Sequence, residues 1–185
     1  MYLHRTLPLF LDFGDIRIVH ACWNNNEINF LRKTISNGRI KDDLLLKSVT
    51  ENSNEFNAFS TLLKGPEIEL PDNKTYLDNN GHERQEIRVK WWEIEEKYTY
   101  KSLAVNSWDS LPETEPDNKL LNGLEIYKNN EPPVFFGHYW KSGIPEIINK
   151  NVCCLDYSVA KGEKLVAYRW DGEKELCNSK FIYVE

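Results

Sequence analysis

Pro133-Val134-Phe135-Phe136-Gly137-His138-Tyr139-Trp140 begins as an unbroken apolar run and turns, at a glycine, onto a histidine. A short run of β-branched and aromatic residues with no polar alternation reads as a buried strand. A second stretch, Ile16-Arg17-Ile18-Val19-His20-Ala21-Cys22-Trp23, repeats the plan of strand, histidine and small residue. A lone histidine at a strand end is more often a hydrogen-bonded boundary residue than a ligand. Two of them, arriving on neighbouring loops at the carboxyl edge of one sheet, suit a divalent transition metal. His20 and His138 are therefore the candidate metal ligands. A stable centre needs at least about three protein ligands, and the missing ones are expected to be carboxylates or an amide. No Asp-x-His, Gly-Asp-x-x-Asp or Gly-Asn-His occurs in the 185 residues.

Outward from these two strands the chain reads as a mixed α/β domain, in α/β or α+β layers around a central sheet. Asn24, Asn25 and Asn26 are capping residues before a short helix from Glu27, closed at Gly38. Between Lys41 and Leu63 the residues Leu45, Val49, Phe56, Phe59 and Leu63 recur at spacings of three, four and seven, which predicts one amphipathic helix over 41–63, covering one face of the sheet and stopped at Gly65-Pro66. Residues 66–132 read as a β-rich insert followed by an irregular connection. Ile68 and Leu70 alternate with acids, Asp78-Asn79-Asn80-Gly81 is a turn signal, and Glu86 to Trp92 alternates cleanly. Within that alternation Ile87, Val89 and Trp91 share one face. The last third predicts strands at Val134–Phe136, Val152–Leu155, Leu165–Trp170 and Phe181–Val184, with Asp171-Gly172 as a hairpin turn between the last two.

Composition narrows the possible partners. With 23 basic and 29 acidic residues the formal charge is −6, a surface that repels nucleic acid on average. No apolar run approaches the roughly 20 residues of a membrane span. The start, Met1-Tyr2-Leu3-His4-Arg5-Thr6-Leu7-Pro8, lacks the basic-then-apolar order of a signal peptide, so a cytoplasmic protein with no membrane partner is expected. Cys22, Cys153, Cys154 and Cys177 have no Cys-x-x-Cys spacing, and the adjacent pair reads as opposite-facing core thiols in a reducing compartment.

Other candidate site residues are weaker. Asp156 follows an apolar strand; it either orients a histidine as an outer partner or forms an Asx turn. Arg84, Arg88 and Lys90 could offer charge to a phosphate, but a solvated strand face with Glu83 and Glu86 as partners is the favoured reading. Trp91-Trp92 reads as packing rather than a base-stacking platform, His82 as a solvated loop residue, and His4 has no assigned role.

Three stretches carry a resemblance to a known family. They are Val19-His20-Ala21-Cys22-Trp23, Val134-Phe135-Phe136-Gly137-His138-Tyr139-Trp140, and Asn151-Val152-Cys153-Cys154-Leu155-Asp156-Tyr157-Ser158 continuing through Gly162 to Ala167. Together they resemble the calcineurin-like metallophosphoesterases, in the branch with the bacterial diadenosine tetraphosphatases and the phosphatase modules of polynucleotide end-healing enzymes. The Gly81–Arg84 and Arg88–Trp92 segments are similar to that branch's insert. The resemblance covers the C-terminal half of the family's domain. It implies a four-layer sandwich of two sheets flanked by helices, of which this chain supplies one sheet and part of another.

It also implies that His20 and His138 ligate the second metal of a two-metal centre, Mn²⁺ first, with Zn²⁺ or Fe as alternatives. The expected role is thus the C-terminal segment of a phosphoesterase, inactive alone. It would be completed by an N-terminal segment or a homo-oligomer, and would act on a phosphorylated small molecule, nucleotide or protein. Without that half, exposed apolar sheet face or edge is expected. The competing expectations are a non-catalytic remnant or interaction module, and a nucleic-acid-binding module built on Arg84, Arg88, Lys90 and the paired tryptophans.

Overall fold

The computed structural model describes residues 7–35, 40, 42–78, 81–93, 97–122 and 124–185. In chain order the elements are β1 (Phe10–Asp12), β2 (Arg17–Val19), α1 (Asn25–Thr34), α2 (Asp42–Lys47), α3 (Asn54–Lys64), β3 (Glu67–Glu69), β4 (Tyr76–Leu77), β5 (Glu83–Arg84) and β6 (Glu86–Arg88). There follow α4 (Tyr100–Leu103), α5 (Asn118–Leu121), β7 (Val134–Phe136), β8 (Val152–Cys154), β9 (Asp156–Tyr157), β10 (Lys164–Tyr168) and β11 (Phe181–Val184). The fold is mixed α/β, with several small sheets, one of them mixed. The chain divides into two compact units, 1–64 with 129–185, and 65–128. The 66–132 stretch expected as an insert overlaps the second.

In the first unit a four-stranded sheet runs β1-β2-β7-β8. β1 is antiparallel to β2, while β2, β7 and β8 are mutually parallel, with Ile18 beside Phe135 and Phe135 beside Cys153. Every residue of the inner strand β7 and of the edge strand β8 is buried, as expected of parallel strands covered on both faces, which is why they read as continuous apolar runs. β2 differs from the expected buried strand. Only Val19 is buried, and Ile18 is exposed beside the exposed Leu11 of β1. Phe13, just beyond β1, is exposed as well.

Phe135 and Cys153 pack on Leu176, with Tyr168, Trp170 and Phe181 against them. Tyr168 and Phe181 come from a second sheet, β11-β10-β9, all antiparallel, and Trp170 and Leu176 from the connection between β10 and β11. Asp171-Gly172 does not form a tight hairpin. The connection from Arg169 to Lys180 is long and is gathered around Glu173. Its carboxylate accepts from Tyr168 Oη at 2.9 Å, Asp171 N at 2.8 Å and Lys180 Nζ at 2.7 Å, while its carbonyl accepts from Trp170 Nε1 at 2.9 Å.

The helix expected over 41–63 is two helices. Ser48 Oγ and Thr50 Oγ1 bond back to the carbonyls of Leu45 and Leu46, and Asn52 takes a left-handed φ of 64°. Ser53 then starts α3, its Oγ accepting from Phe56 N at 3.0 Å. A Ser-Thr-Asn-Ser cluster thus diverts the backbone from continuous helix, as short polar side chains do. The buried stripe shifts too. Leu44, Ala58, Phe59 and Leu62 are buried, whereas Leu45 and Val49 are exposed. Gly65, at φ 89°, ends α3 as expected. α1 starts at Asn25, two residues before the expected Glu27, capped by Asn24, whose Oδ1 accepts from Glu27 N. The closing Gly38, like Lys41, Asn79 and Asn80, lies outside the described residues.

In the second unit β3 pairs antiparallel with β6 and β4 with β5. Ile87, Val89 and Trp91 are all buried, as the alternation predicts, but Trp92 is buried as well. The supposed irregular connection is packed. Leu111 joins a cluster with Ile68, Ile87, Val89 and Tyr100, the Thr114 and Pro112 carbonyls accept from the start of α4, and Tyr127 N donates to Trp91 O.

Burial alone would raise the Glu173 carboxyl; the hydrogen bonds from Lys180, Asp171 N–H and Tyr168 outweigh it and hold it down at about 2. A carboxylate depressed in the folded state contributes stability that is fully present above its unfolded value of about 4.3 and is lost as pH falls through the folded value. Glu173→Gln is expected to cost about 1–2 kcal/mol at neutral pH, and urea melts of the two proteins should converge as pH falls towards 2. An equal gap at both pH values would show that charge on Glu173 does not hold this connection.

Candidate metal site

β2 and β7 are adjacent and parallel, so both present their carboxyl ends at the same edge. Arg17 N donates to Pro133 O at 2.9 Å at the start of this pairing, and Gly137 N donates to His20 O at 2.9 Å at its end. The register therefore places His138 beside His20. Their rings meet with His20 Nε2 and His138 Nδ1 3.3 Å apart and centroids 5.1 Å apart. One ring nitrogen donates and the other accepts. His20 is exposed and His138 half-buried, so the pair sits at an accessible edge.

Two nitrogens each about 2.0–2.1 Å from one tetrahedral ion lie roughly 3.3–3.4 Å apart. The His20–His138 separation of 3.3 Å coincides with that value, and it is equally the length of the direct imidazole–imidazole hydrogen bond. Among the described residues no group of three or more His, Cys, Asp or Glu side chains could hold an ion.

The loop beyond His138 is strained. His138 has φ 73° and Trp140 φ 48°, both left-handed without glycine, at a cost of about 1 kcal/mol or more each. It is fastened to the next strand end, where Lys141 N donates to Asp156 O at 2.9 Å and Ser158 Oγ donates to Lys141 O at 3.2 Å. Gly137 is not required by crowding, since an added Cβ would meet Asp156 Cβ at 3.5 Å and His20 O at 3.7 Å, ordinary contacts.

Asp156 opens β9, two residues beyond the carboxyl end of β8, next to Gly137. Its Oδ1 accepts from Ser158 N at 3.1 Å, the Asx turn that sequence offered as one of its two roles. Ser158 there has φ 56°.

Arg84, Arg88 and Lys90 belong to the other compact unit and are each ion-paired. Arg84 Nη2 lies 2.9 Å from Asp78, Arg88 Nη2 3.0 Å from Glu67 and Lys90 Nζ 2.9 Å from Glu93. The expected partners, Glu83 and Glu86, are engaged otherwise. Glu83 accepts from Thr75 Oγ1, and Glu86 faces Glu69 across the β3–β6 ladder, where burial and then the charges of Glu67 and Glu69 raise its carboxyl. His82 is exposed, 3.6 Å from Asp78. Trp91 and Trp92 are buried edge-to-face at 5.4 Å and present no stacking surface.

Cys22, Cys153 and Cys154 are buried and Cys177 exposed, all free thiols. Burial pushes the Cys154 thiol up to about 11 and raises Cys153 as well, so neither supplies a thiolate nucleophile at neutral pH. Two residues of this edge escaped sequence reading. Lys161 Nζ sits 3.8 Å over the Trp140 ring, a contact across the β9 turn that no local spacing announces.

Asp156→Asn keeps an oxygen acceptor, whereas Asp156→Ala removes it. The alanine variant is expected to lose about 1 kcal/mol in urea melts and the asparagine variant little. Equal losses would mean that the negative charge, and not the turn, is what the fold uses at this position.

Among the described residues no helix is long and apolar enough to cross a membrane. Comparison with protein-family models, with curated proteins and with solved structures finds no match to this chain.

Proposed function

We propose that this chain is the C-terminal segment of a metal-dependent phosphoesterase of the calcineurin-like kind, one that hydrolyses phosphate ester or phosphoanhydride bonds. On this reading its mixed sheet is part of a four-layer sandwich. The observation that carries it is the 3.3 Å approach of His20 Nε2 to His138 Nδ1, at the shared carboxyl edge of two parallel strands. The resemblance of the Gly137-His138 and Val19-His20 stretches to that family's motifs supplies the chemistry.

His20 and His138 would hold one divalent cation, with Mn²⁺ the first expectation and Zn²⁺ or Fe next. A two-metal centre polarises phosphoryl oxygens and lowers the pKa of a bound water. The work of this chain's own residues is positioning. Gly137 N fixes the spacing of the two loops through His20 O, and the Lys141–Asp156 backbone bond and the Ser158 hydroxyl hold the His138 loop in its left-handed form. Neutral imidazoles bring no negative charge to offset a dication, so carboxylates from a segment outside these 185 residues, or from a second copy, must complete the site. A non-catalytic interaction module is the second reading, favoured by the direct bond between His20 and His138, which engages the facing ring nitrogens with each other.

The isolated chain is expected to bind Mn²⁺ or Zn²⁺ no tighter than about 10 µM, in line with only two ligands. His20→Ala or His138→Ala should weaken that binding at least about tenfold, and p-nitrophenyl phosphate turnover should be undetectable. Calorimetric titration of the metal and a phosphate-release assay check this. Binding that is indifferent to His138→Ala would dispose of the site. Tight stoichiometric metal with turnover abolished by His138→Ala would instead show that the chain is complete in itself.

A further inference from the structure

β11 is an edge strand of the β11-β10-β9 sheet. Natural edges are blunted by charge, proline, bulges or brevity. β1, also an edge, has three residues, one of them Asp12. β11 has none of these guards. Phe181-Ile182-Tyr183-Val184 contains neither charge nor proline, and its register against β10 runs unbroken from Phe181–Tyr168 to Val184–Leu165. Arg169 N donates to Lys180 O at 3.0 Å, so Lys180 turns its backbone groups towards β10. Antiparallel pairing alternates. Ile182 and Val184 therefore also face β10, while Phe181, Tyr183 and Glu185 turn their backbone groups away from the sheet. Phe181 N is spent on Asn178 O. Phe181 O, Tyr183 N and O, and Glu185 N remain to point outward. One face of this hairpin is open too. Leu165, Ala167, Ile182 and Val184 alternate with the core-facing Tyr168 and Phe181, and all four are exposed, Ile182 at 62% and Val184 at 61%.

We propose that β11 pairs antiparallel with β11 of a second copy of this chain, about a twofold axis at Tyr183, joining two three-stranded sheets into one of six strands. This interface lies on a different sheet from the histidines and does not rest on the metal reading. Its occupant follows from self-complementarity, the requirement of a twofold interface. An axis normal to the sheet keeps each face on its own side, so a residue meets one that points the same way. Centring on Tyr183 meets that condition and sets Phe181 opposite Glu185. Tyr183 N then donates to Tyr183 O of the second copy, and Glu185 N to its Phe181 O, each twice by symmetry. Every outward group named above is used. On the open face Ile182 comes beside Val184 of the second copy, an apolar cross-strand pair of the kind that stabilises sheets. Leu165 and Ala167 extend these rows on either side. Charge does not oppose the approach, since Lys164 holds Glu185 at 3.1 Å and Glu173 holds Lys180 at 2.7 Å. A charged foreign peptide therefore finds no open partner at this edge, whereas a second neutral edge fits it. A four-residue strand covers less than the roughly 800 Å² per partner of a standard interface, so the dimer is a weak one.

Sedimentation velocity of the whole chain, from about 5 to about 500 µM, tests the pairing. The wild type should pass from monomer to dimer with a Kd of about 10–100 µM and assemble no further. Tyr183→Pro deletes a donor that faces away from β10, a position where an edge strand tolerates proline. It should keep the wild-type melt and raise the Kd at least about tenfold. Two double variants read the register. Ile182→Lys with Val184→Lys sets like charges opposite each other across the junction and should be monomeric; Ile182→Lys with Val184→Glu sets opposite charges there and should dimerise. A wild type that stays monomeric throughout, assembly beyond two copies, a dimer that survives Tyr183→Pro, or double variants that behave alike would overturn the proposal. If Tyr183→Pro fails to fold, the double variants decide alone.

Discussion

Parallel pairing of β2 with β7 is the constraint on which the rest of this edge depends. Parallel neighbours end on the same side, and a one-residue slip would turn every side chain to the opposite face. Arg17 N to Pro133 O at one end and Gly137 N to His20 O at the other fix that register. Once it is fixed, the imidazoles meet without any further device, although 118 residues separate them in sequence. The third parallel strand, β8, continues the logic by bringing Asp156 beside Gly137. What holds this register is burial. β7 and β8 are covered on both faces, and Phe135 and Cys153 are pinned by Leu176 and the aromatic side chains of the β10–β11 hairpin.

Strands of this kind are legible because two-faced burial leaves a continuous apolar signature. Val134–Phe136 lies where its sequence places it, and Val152–Cys154 is one residue shorter than expected; Phe181–Val184 also forms as expected, although three of its four residues are exposed. The convergence of His20 and His138 was legible for the same reason, as two strand ends that share a plan. β2 was less so, since Ile16-Arg17-Ile18-Val19 carries the apolar pattern of a buried strand while Ile18 faces outward. Periodicity failed at 41–63, where the count of apolar residues outweighed Ser48, Thr50, Asn52 and Ser53. Each of those has a hydrogen bond or a left-handed φ that interrupts the helix. The lesson is chemical: a cluster of short polar side chains competes for the backbone more strongly than spacing alone suggests.

Partners of charged groups were hardly legible. Arg84, Arg88 and Lys90 find Asp78, Glu67 and Glu93, set by the β3–β6 and β4–β5 pairings and by the turn after Lys90. Sequence proximity pointed to Glu83 and Glu86, which the same pairings direct elsewhere. The Lys161–Trp140 contact is a still longer reach. It depends on the left-handed turns at His138, Trp140 and Ser158, and none of these is a glycine. Conformations that residue type disfavours cannot be anticipated from residue type.

The edge that results is rich in direction and poor in negative charge. Two imidazoles set nitrogens at a separation suited to one ion, but they leave its charge uncompensated. The nearest acid in the sheet order, Asp156, spends Oδ1 on the Ser158 turn. A dication would be held here by dipoles and lone pairs alone, against its hydration, which is weak binding by any count of ligands. Carboxylates added from another segment would change both terms together, by neutralising the ion and by excluding water from the exposed His20 side. The geometry is therefore one of direction: strand register and left-handed turns bring two imidazoles together at an accessible edge.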